Sequence, residues 1–299
     1  MSFTIIQVLF GQLILPLVFI ISLWKTSFNS KLAWILHSAV TLMMVTWVFL
    51  AFPWDATSYY LRVLWPFLLL IALYVTWKKA RALPFRIKFT IGQKMSLGLD
   101  ILLFLFFSVL TVSSLSGLTT KDTAIELDFP LRDGTYYVGQ GGNSVTLNYH
   151  NAYTSQQYAI DVSKLNVLGM RAAGIYPDEL EKYYIFGEPV YSPCSGVITS
   201  GRNDLPDLVP PESDPENAAG NHVYIKCNNE EAKVLIAHMQ ESSVTAKEGD
   251  IVERGQQIGR IGNSGNTTEP HLHIHAEIDG VGVPIKFNDR FIVRNSLVW

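Results

Sequence analysis

Four apolar runs crowd the first 118 residues, and they constrain this chain more than any other feature. Residues 3–24 and 32–52 contain no charged side chain. Residues 59–77 contain only Arg62, and residues 97–118 only Asp100, each close to one end of its run. A membrane-spanning helix takes about 20 consecutive apolar residues, and a charge near a span end can reach the interface. Four such runs predict four transmembrane helices rather than the buried bundle of a soluble protein.

Charge divides the chain at the same place. Residues 1–120 carry nine Lys/Arg against two Asp/Glu, a net +7, while residues 121–299 carry 14 against 24, a net −10. Six of the seven histidines fall in the second part. Two domains are therefore expected: a four-helix transmembrane domain over 1–120 and an extracytoplasmic domain over 121–299. Only 16% of the chain is charged, below the roughly 25% of a typical soluble domain. This excludes disorder and a basic nucleic-acid-binding protein. Two cysteines are too few for a disulfide scaffold or a four-cysteine zinc site.

Orientation follows from basic loop residues. The loop after the third run holds Lys78, Lys79, Arg81, Arg86, Lys88 and Lys94, and the loop after the first holds Lys25 and Lys31. Both are expected to be cytoplasmic. The loop over 53–58 has Asp55 and no Lys or Arg. The N-terminus and the C-terminal domain are then extracytoplasmic, in a multi-pass protein of the cell membrane. The first run has no basic flank before it and is too long for a cleavable signal peptide. His37 is read as sitting near the cytoplasmic end or pairing within the bundle, with an intramembrane function as the alternative. No line of charges suggests a transport path, so the bundle reads as an anchor.

From about residue 124 the pattern becomes that of short strands separated by Gly, Asn and Pro. Strands are expected over 136–138, 145–149, 158–162, 197–199, 222–226, 233–237 and 272–278. A short helix is expected over 177–186, and the proline-rich, acidic stretch 202–220 reads as a long mobile loop. The fold class is thus an α-helical transmembrane bundle followed by an all-β domain, an antiparallel sheet or sandwich-like barrel with a substrate groove. Cys194 and Cys227 lie in the outer part, where a disulfide is permitted, and a bridge between them is expected.

The segment Pro270-His271-Leu272-His273-Ile274-His275-Ala276-Glu277 carries the chemistry. Side chains alternate along a strand, so His271, His273, His275 and Glu277 share one face, and Leu272, Ile274 and Ala276 the other. Three imidazoles and a carboxylate on one face suit a metal site. His238 ends an apolar strand, His150 follows another, and Asp161 ends the run Tyr158-Ala159-Ile160-Asp161. Catalytic zinc is commonly held by three N/O ligands, and flanking histidines can move a proton or steady an oxyanion. The spacing of Gly265, His271, His273 and Glu277 also mimics a cupin half-motif, but no histidine follows His275 to complete it. The run over 244–256 resembles half of a biotinyl or lipoyl carrier motif. No lysine sits in a suitable turn there, and only a hint of β structure is kept.

In order along the chain, these pieces resemble the LytM/lysostaphin-like zinc metallopeptidases. The resemblance runs over about 150–277. It rests on His150 with Tyr158-Ala159-Ile160-Asp161, Gly187-Glu188-Pro189-Val190, Gly220-Asn221-His222-Val223, Ala237-His238-Met239, Gly249-Asp250-Ile251-Val252, Gly262-Asn263-Ser264-Gly265-Asn266-Thr267 and Pro270-His271-Leu272-His273. It implies an antiparallel β fold with a groove, zinc held by His150, Asp161 and His273, and catalytic roles for His238 and His271. It also implies peptidoglycan peptides as substrate, which an outward-facing, bilayer-anchored domain would meet. The family commonly places its upstream His four residues before the Asp, where this chain has Gln157; His150 takes the role through a longer gap. Residues 163–186 read as an insertion that, with loop 202–220, walls the groove. His275 stands where relatives often have an aromatic residue, and His222 reads as structural. Two alternatives are a catalytically silent domain that regulates cell-wall hydrolases and a peptidase for a non-wall protein or peptide.

Overall fold

The computed structural model describes residues 3–228 and 230–299. They form two compact units, one of Met1–Trp54 and Ser58–Leu115, the other of Asp55–Thr57 and Ser116–Trp299.

The first unit contains four helices long and apolar enough to cross a membrane: α1 (Ile5–Lys25), α2 (Lys31–Ala51), α3 (Leu61–Ala80) and α4 (Ile91–Ser116). The apolar runs contain few helix breakers. Ser30 starts α2 by accepting the Ala33 N–H, which satisfies one of the donors a helix start leaves free. Leu23, Val40, Met44, Val48, Trp65 and Leu69 pack the interior. Phe67, Leu70, Leu102, Leu105 and Val109 face outward, so these helices are apolar on both faces, unlike the one-sided helices of a soluble bundle. His37 of α2 is hydrogen-bonded to Asp100 of α4 and Ser22 of α1.

The second unit is β-rich. In chain order its strands are β1 (Ile125–Leu127), β2 (Thr135–Gln140), β3 (Ile160–Leu165), β4 (Pro189–Tyr191), β5 (Gly196–Arg202), β6 (Asn221–Cys227), β7 (Lys233–Met239), β8 (Ile251–Val252), β9 (Gln257–Arg260), β10 (Leu272–Ile278), β11 (Val281–Val283), β12 (Ile285–Phe287), β13 (Arg290–Phe291) and β14 (Leu297–Val298). The main sheet runs β14-β2-β3-β10-β7-β6-β5-β8, with β11 also paired to β10. It is an open antiparallel sheet among the described residues, not a closed barrel. A β4–β9 pair and the three-stranded β1-β12-β13 sheet flank it. The alternation read from sequence sends Leu272, Ile274 and Ala276 of β10 into a core with Val162, Val223, Ile225, Val234 and Ile236. Each fully buried Val, Leu or Ile among them contributes roughly 1.5–3 kcal/mol. Cys194 and Cys227 are disulfide-bonded.

Three expectations change. Residues 145–149 form turns rather than a strand. The Asn148 side chain donates to the Gly142 and Ala159 carbonyls and accepts the His150 N–H, and these bonds curl the backbone. Residues 177–186 contain only the 3-10 turn Leu180–Lys182. Tyr183 leaves it to bridge Ala172 and donates its hydroxyl to the Pro177 carbonyl, which a continuing helix would not allow. The 202–220 loop, expected to be mobile, is tied down: Asp207 accepts the Asn263 and Glu241 N–H groups, and Asp214 N–H donates to the Gly265 carbonyl.

Candidate active site

The register of three adjacent strands builds the site. β10 lies between β3 and β7, with His273 directly opposite Asp161 on one side and Ala237 on the other. His238 follows Ala237 at the end of β7, with its backbone at φ 57°. That left-handed conformation is uncommon outside glycine; here it is held by His238 N–H to Ala219 O and Gly262 N–H to His238 O, both 3.0 Å. Gly220 is required next to this turn. Its φ is +58°, and a Cβ there would stand 2.2 Å from the Ser264 carbonyl oxygen. His150 arrives from the 3-10 turn Tyr149–Ala152, which Asn148 caps.

Asp161 is the hub. Its Oδ2 is 2.9 Å from His150 Nε2, and its Oδ1 is 2.9 Å from His273 Nδ1 and 3.6 Å from His271 Nε2. Burial alone would raise the Asp161 pKa, but the surrounding His150 and His271 and the imidazole hydrogen bonds hold it well below the ordinary carboxylate range. Burial pushes His238 and His273 below the usual imidazole value, with neighbouring histidines adding to the shift for both. Burial and the nearby His273 bring His275 down to about 3.

The outer histidines have fixed ring orientations. His238 Nδ1–H donates to the Ser264 carbonyl at 2.9 Å, and His271 Nδ1–H to the Glu269 carbonyl at 2.9 Å. Carbonyls only accept, so each ring keeps its proton on Nδ1 and offers a lone pair at Nε2. The His271 Nε2 is buried without a hydrogen-bond partner. The His238 and His271 rings lie 5.0 Å apart. A cavity of about 480 Å³ is lined by Tyr149, His150, Tyr153, His238, Asn266 and His273, among others.

All five residues expected at the site come together. Two overlapping triplets could hold a metal ion, His150/Asp161/His273 and His238/His271/His273, the ligand atoms of each lying within 4.8 Å of one another. Two imidazoles and a carboxylate form a donor set of the kind zinc takes, and the partnerless His271 Nε2 marks a place where a further group would sit. His222 is not brought in; its Nδ1 donates to the Gly220 carbonyl at 2.8 Å. Gln157, at the family's more common ligand position, donates instead to the Gly282 carbonyl.

Two participants were not singled out from the sequence. Tyr149 lies against His150 with ring centroids 4.1 Å apart, and burial followed by the Asp161 charge raises its phenol above the ordinary range. Arg171, only 3% exposed, donates to Glu269 Oε2 from Nε and Nη2 at 2.9 and 2.7 Å. Its Nη1 is 3.7 Å from Asp55 Oδ1. A tyrosine next to a histidine gives no sequence signal by itself. An ion pair 98 residues apart gives none either.

Residues 183–285, within the second unit, match Peptidase family M23. The chain is 29% identical over 154 residues to the peptidoglycan DD-endopeptidase ShyA of Vibrio cholerae, covering 50% of this chain and 31% of that protein. It is 30% identical over 95 residues to the peptidoglycan DD-endopeptidase ShyC of the same organism, covering 32% and 18%. The chain thus spans under a third of the length of these relatives. Among solved structures, a zinc-containing peptidase from Vibrio cholerae superposes with a TM-score of 0.33 at 21% identity, covering 54% of this chain and 39% of that one.

Proposed function

We propose that this protein is a membrane-anchored zinc endopeptidase that hydrolyses peptide bonds in bacterial peptidoglycan cross-links. The observation that carries the reading is the grouping of His150, Asp161 and His273, with His150 Nε2 and His273 Nδ1 each 2.9 Å from an Asp161 oxygen, beside two imidazoles whose Nδ1 protons are held by backbone carbonyls. The named activity of the two relatives supports the substrate class. The outward-facing apolar side chains of α1–α4 support a lipid surround, with α1–α4 as the anchor over 1–120 and the peptidase domain over 121–299 outside. The cavity beside His150 and His273 serves as the substrate groove.

In this reading His150, Asp161 and His273 hold the zinc. Bound there, the ion would supply Lewis-acid activation of water and of the scissile carbonyl. The chain's own residues do the rest. Asp161 provides the negative charge that offsets a dication. His238 and His271 flank the reacting atoms. One takes the proton of the attacking water at Nε2, and the other, protonated, steadies the charge developing on the carbonyl oxygen. Both are oriented by backbone carbonyls, so neither ring must reorganise during the reaction. Loop 202–220 contributes Ala218 and Ala219 to the cavity wall, which limits the substrates that can lie across the site.

The test is incubation of the zinc-loaded full chain, in detergent, with purified peptidoglycan while new amino groups are counted. Release by the parent and not by His271→Ala supports the reading, and the fragments identify the bond. Zinc binding without release by the parent overturns the wall substrate.

A further inference from the structure

The helical unit contains a second cluster of reactive side chains, independent of the zinc-site reading. Ser22 of α1, His37 of α2 and Asp100 of α4 form a linear chain. His37 Nδ1 is 3.0 Å from Asp100 Oδ1, and His37 Nε2 is 3.1 Å from Ser22 Oγ. The Asp100 carboxylate accepts, so the imidazole proton sits on Nδ1. Nε2 is then a lone-pair acceptor, and the Ser22 hydroxyl is its donor. This hydroxyl–imidazole–carboxylate order is the arrangement that turns a weak hydroxyl into a nucleophile.

Polar side chains among such apolar helices are costly and call for a reason. A pair kept only for packing would need neither a third member nor access. This cluster has both. Ser22, His37 and Asp100 line a cavity of about 250 Å³, together with Asn29, Gln93 and the apolar Leu97. The Gln93 Oε1 accepts the Thr90 N–H, which leaves its NH₂ group as a donor. Asn29 brings a second amide. Such donors are what a developing carbonyl oxyanion requires, and Leu97 gives an acyl chain an apolar wall. The volume suits a short acyl group.

We propose that Ser22 is an activated nucleophile and that this cavity hydrolyses small carboxylic esters. The Ser22 Oγ–carbon bond forms as the hydroxyl proton moves to His37 Nε2. The ester C–O bond then breaks, and that proton passes to the leaving alkoxide. Water repeats the sequence on the acyl-serine, releasing the carboxylic acid and restoring the hydroxyl. Asp100 holds the His37 tautomer and offsets the imidazolium charge.

The experiment uses the full chain in detergent micelles, carrying His271→Ala to silence the zinc-site reading. It is treated with a fluorophosphonate, which phosphonylates activated serines, and separately with p-nitrophenyl butyrate. The expected result is an adduct mapped to Ser22, absent in Ser22→Ala and at least about a hundredfold slower in His37→Gln and Asp100→Asn, with ester hydrolysis falling in parallel. A polar substitution in the bundle can impair folding, so a Ser22→Cys chain is also alkylated across pH. Its thiol is expected to react as one with a pKa well below the ordinary value of about 8.5. The proposal is overturned if the parent gives no Ser22 adduct. It is equally overturned if the adduct rate is unchanged in a folded His37→Gln chain, or if the Ser22→Cys thiol titrates like a free cysteine. None of these outcomes bears on peptidoglycan cleavage, which the zinc-site test reads separately.

Discussion

His275 Nδ1 lies 2.9 Å from His273 Nε2, and both rings are buried on the same face of β10. The contact decides which nitrogen of His273 is free. If His275 accepts at Nδ1, His273 carries its proton on Nε2, and its Nδ1 lone pair is left for a metal ion shared with Asp161. Partners of this kind, one step behind a metal ligand, are typically worth 10–100-fold in metal affinity. His275→Phe, the aromatic type common in relatives, is expected to weaken zinc binding by about that factor, measured by competition with a chromophoric chelator. His275→Gln, which keeps an acceptor, is expected to recover part of it. Unchanged affinity in His275→Phe would make the contact mere packing.

Arg171 acts on the site through Glu269. Its guanidinium grips the Glu269 carboxylate by two donors, while the Glu269 backbone carbonyl accepts from His271 Nδ1 and from Thr267 Oγ1. Arg171→Met is expected to lower kcat about tenfold or more, with zinc stoichiometry intact and KM little changed. It also leaves a partly buried carboxylate unpaired, at a cost of about 3 kcal/mol. Arg171→Lys should rescue stability better than kcat, because an ammonium cannot reproduce the two-pronged grip. A loss of zinc in Arg171→Met would instead mean that the ion pair with Glu269 holds the metal-binding residues in place rather than His271 alone.

What the sequence displayed clearly was whatever is written in short-range periodicity. The alternation over 271–277 puts His273 and His275 on one face whatever the tertiary structure, and four uncharged runs of about 20 residues admit few folds. What it concealed depends on distant partners or on side chains bonding to backbone. Nothing local to Arg171 announces Glu269. Val145–Thr146–Leu147 alternates like a strand, yet Asn148 bonds its backbone neighbours into turns. The acidic start of 177–186 favours a helix locally, yet the Tyr183 bridge to Ala172 wins.

Cys194 and Cys227 clamp the end of the β5–β6 pair, where Gly196 of β5 lies opposite Cys227 of β6. They are 33 residues apart in sequence. Closing a loop of that length removes about 3–4 kcal/mol of unfolded-chain entropy in the chain-entropy model. Paired Cys194→Ser and Cys227→Ser substitutions are expected to lower the melting temperature of the β unit by roughly 8–12 °C. Zinc binding at 25 °C should persist, because neither residue touches the histidine cluster. Calorimetry with and without reductant reads the effect, and an unchanged transition would argue against a bridge in solution.

The two overlapping donor triplets share His273, and this makes the metal assignment testable without any substrate. The triplet of His150, Asp161 and His273 includes a carboxylate whose charge offsets half of a dication's. The triplet of His238, His271 and His273 is wholly imidazole and leaves Asp161 uncompensated beside it. Electrostatics therefore favours the first. A ligand that binds only the folded state stabilises it by RT ln(1 + [L]/Kd), about 2.7 kcal/mol at a hundredfold excess over Kd. Zinc should accordingly raise the melting temperature of the parent chain, and a chelator should reverse the gain. Asp161→Ala is expected to abolish the zinc-dependent increment and the bound zinc measured by elemental analysis. His238→Ala should keep both while losing peptidase activity. The reverse pattern, with zinc retained in Asp161→Ala and lost in His238→Ala, would move the metal to the imidazole triplet and exchange the roles of the two groups.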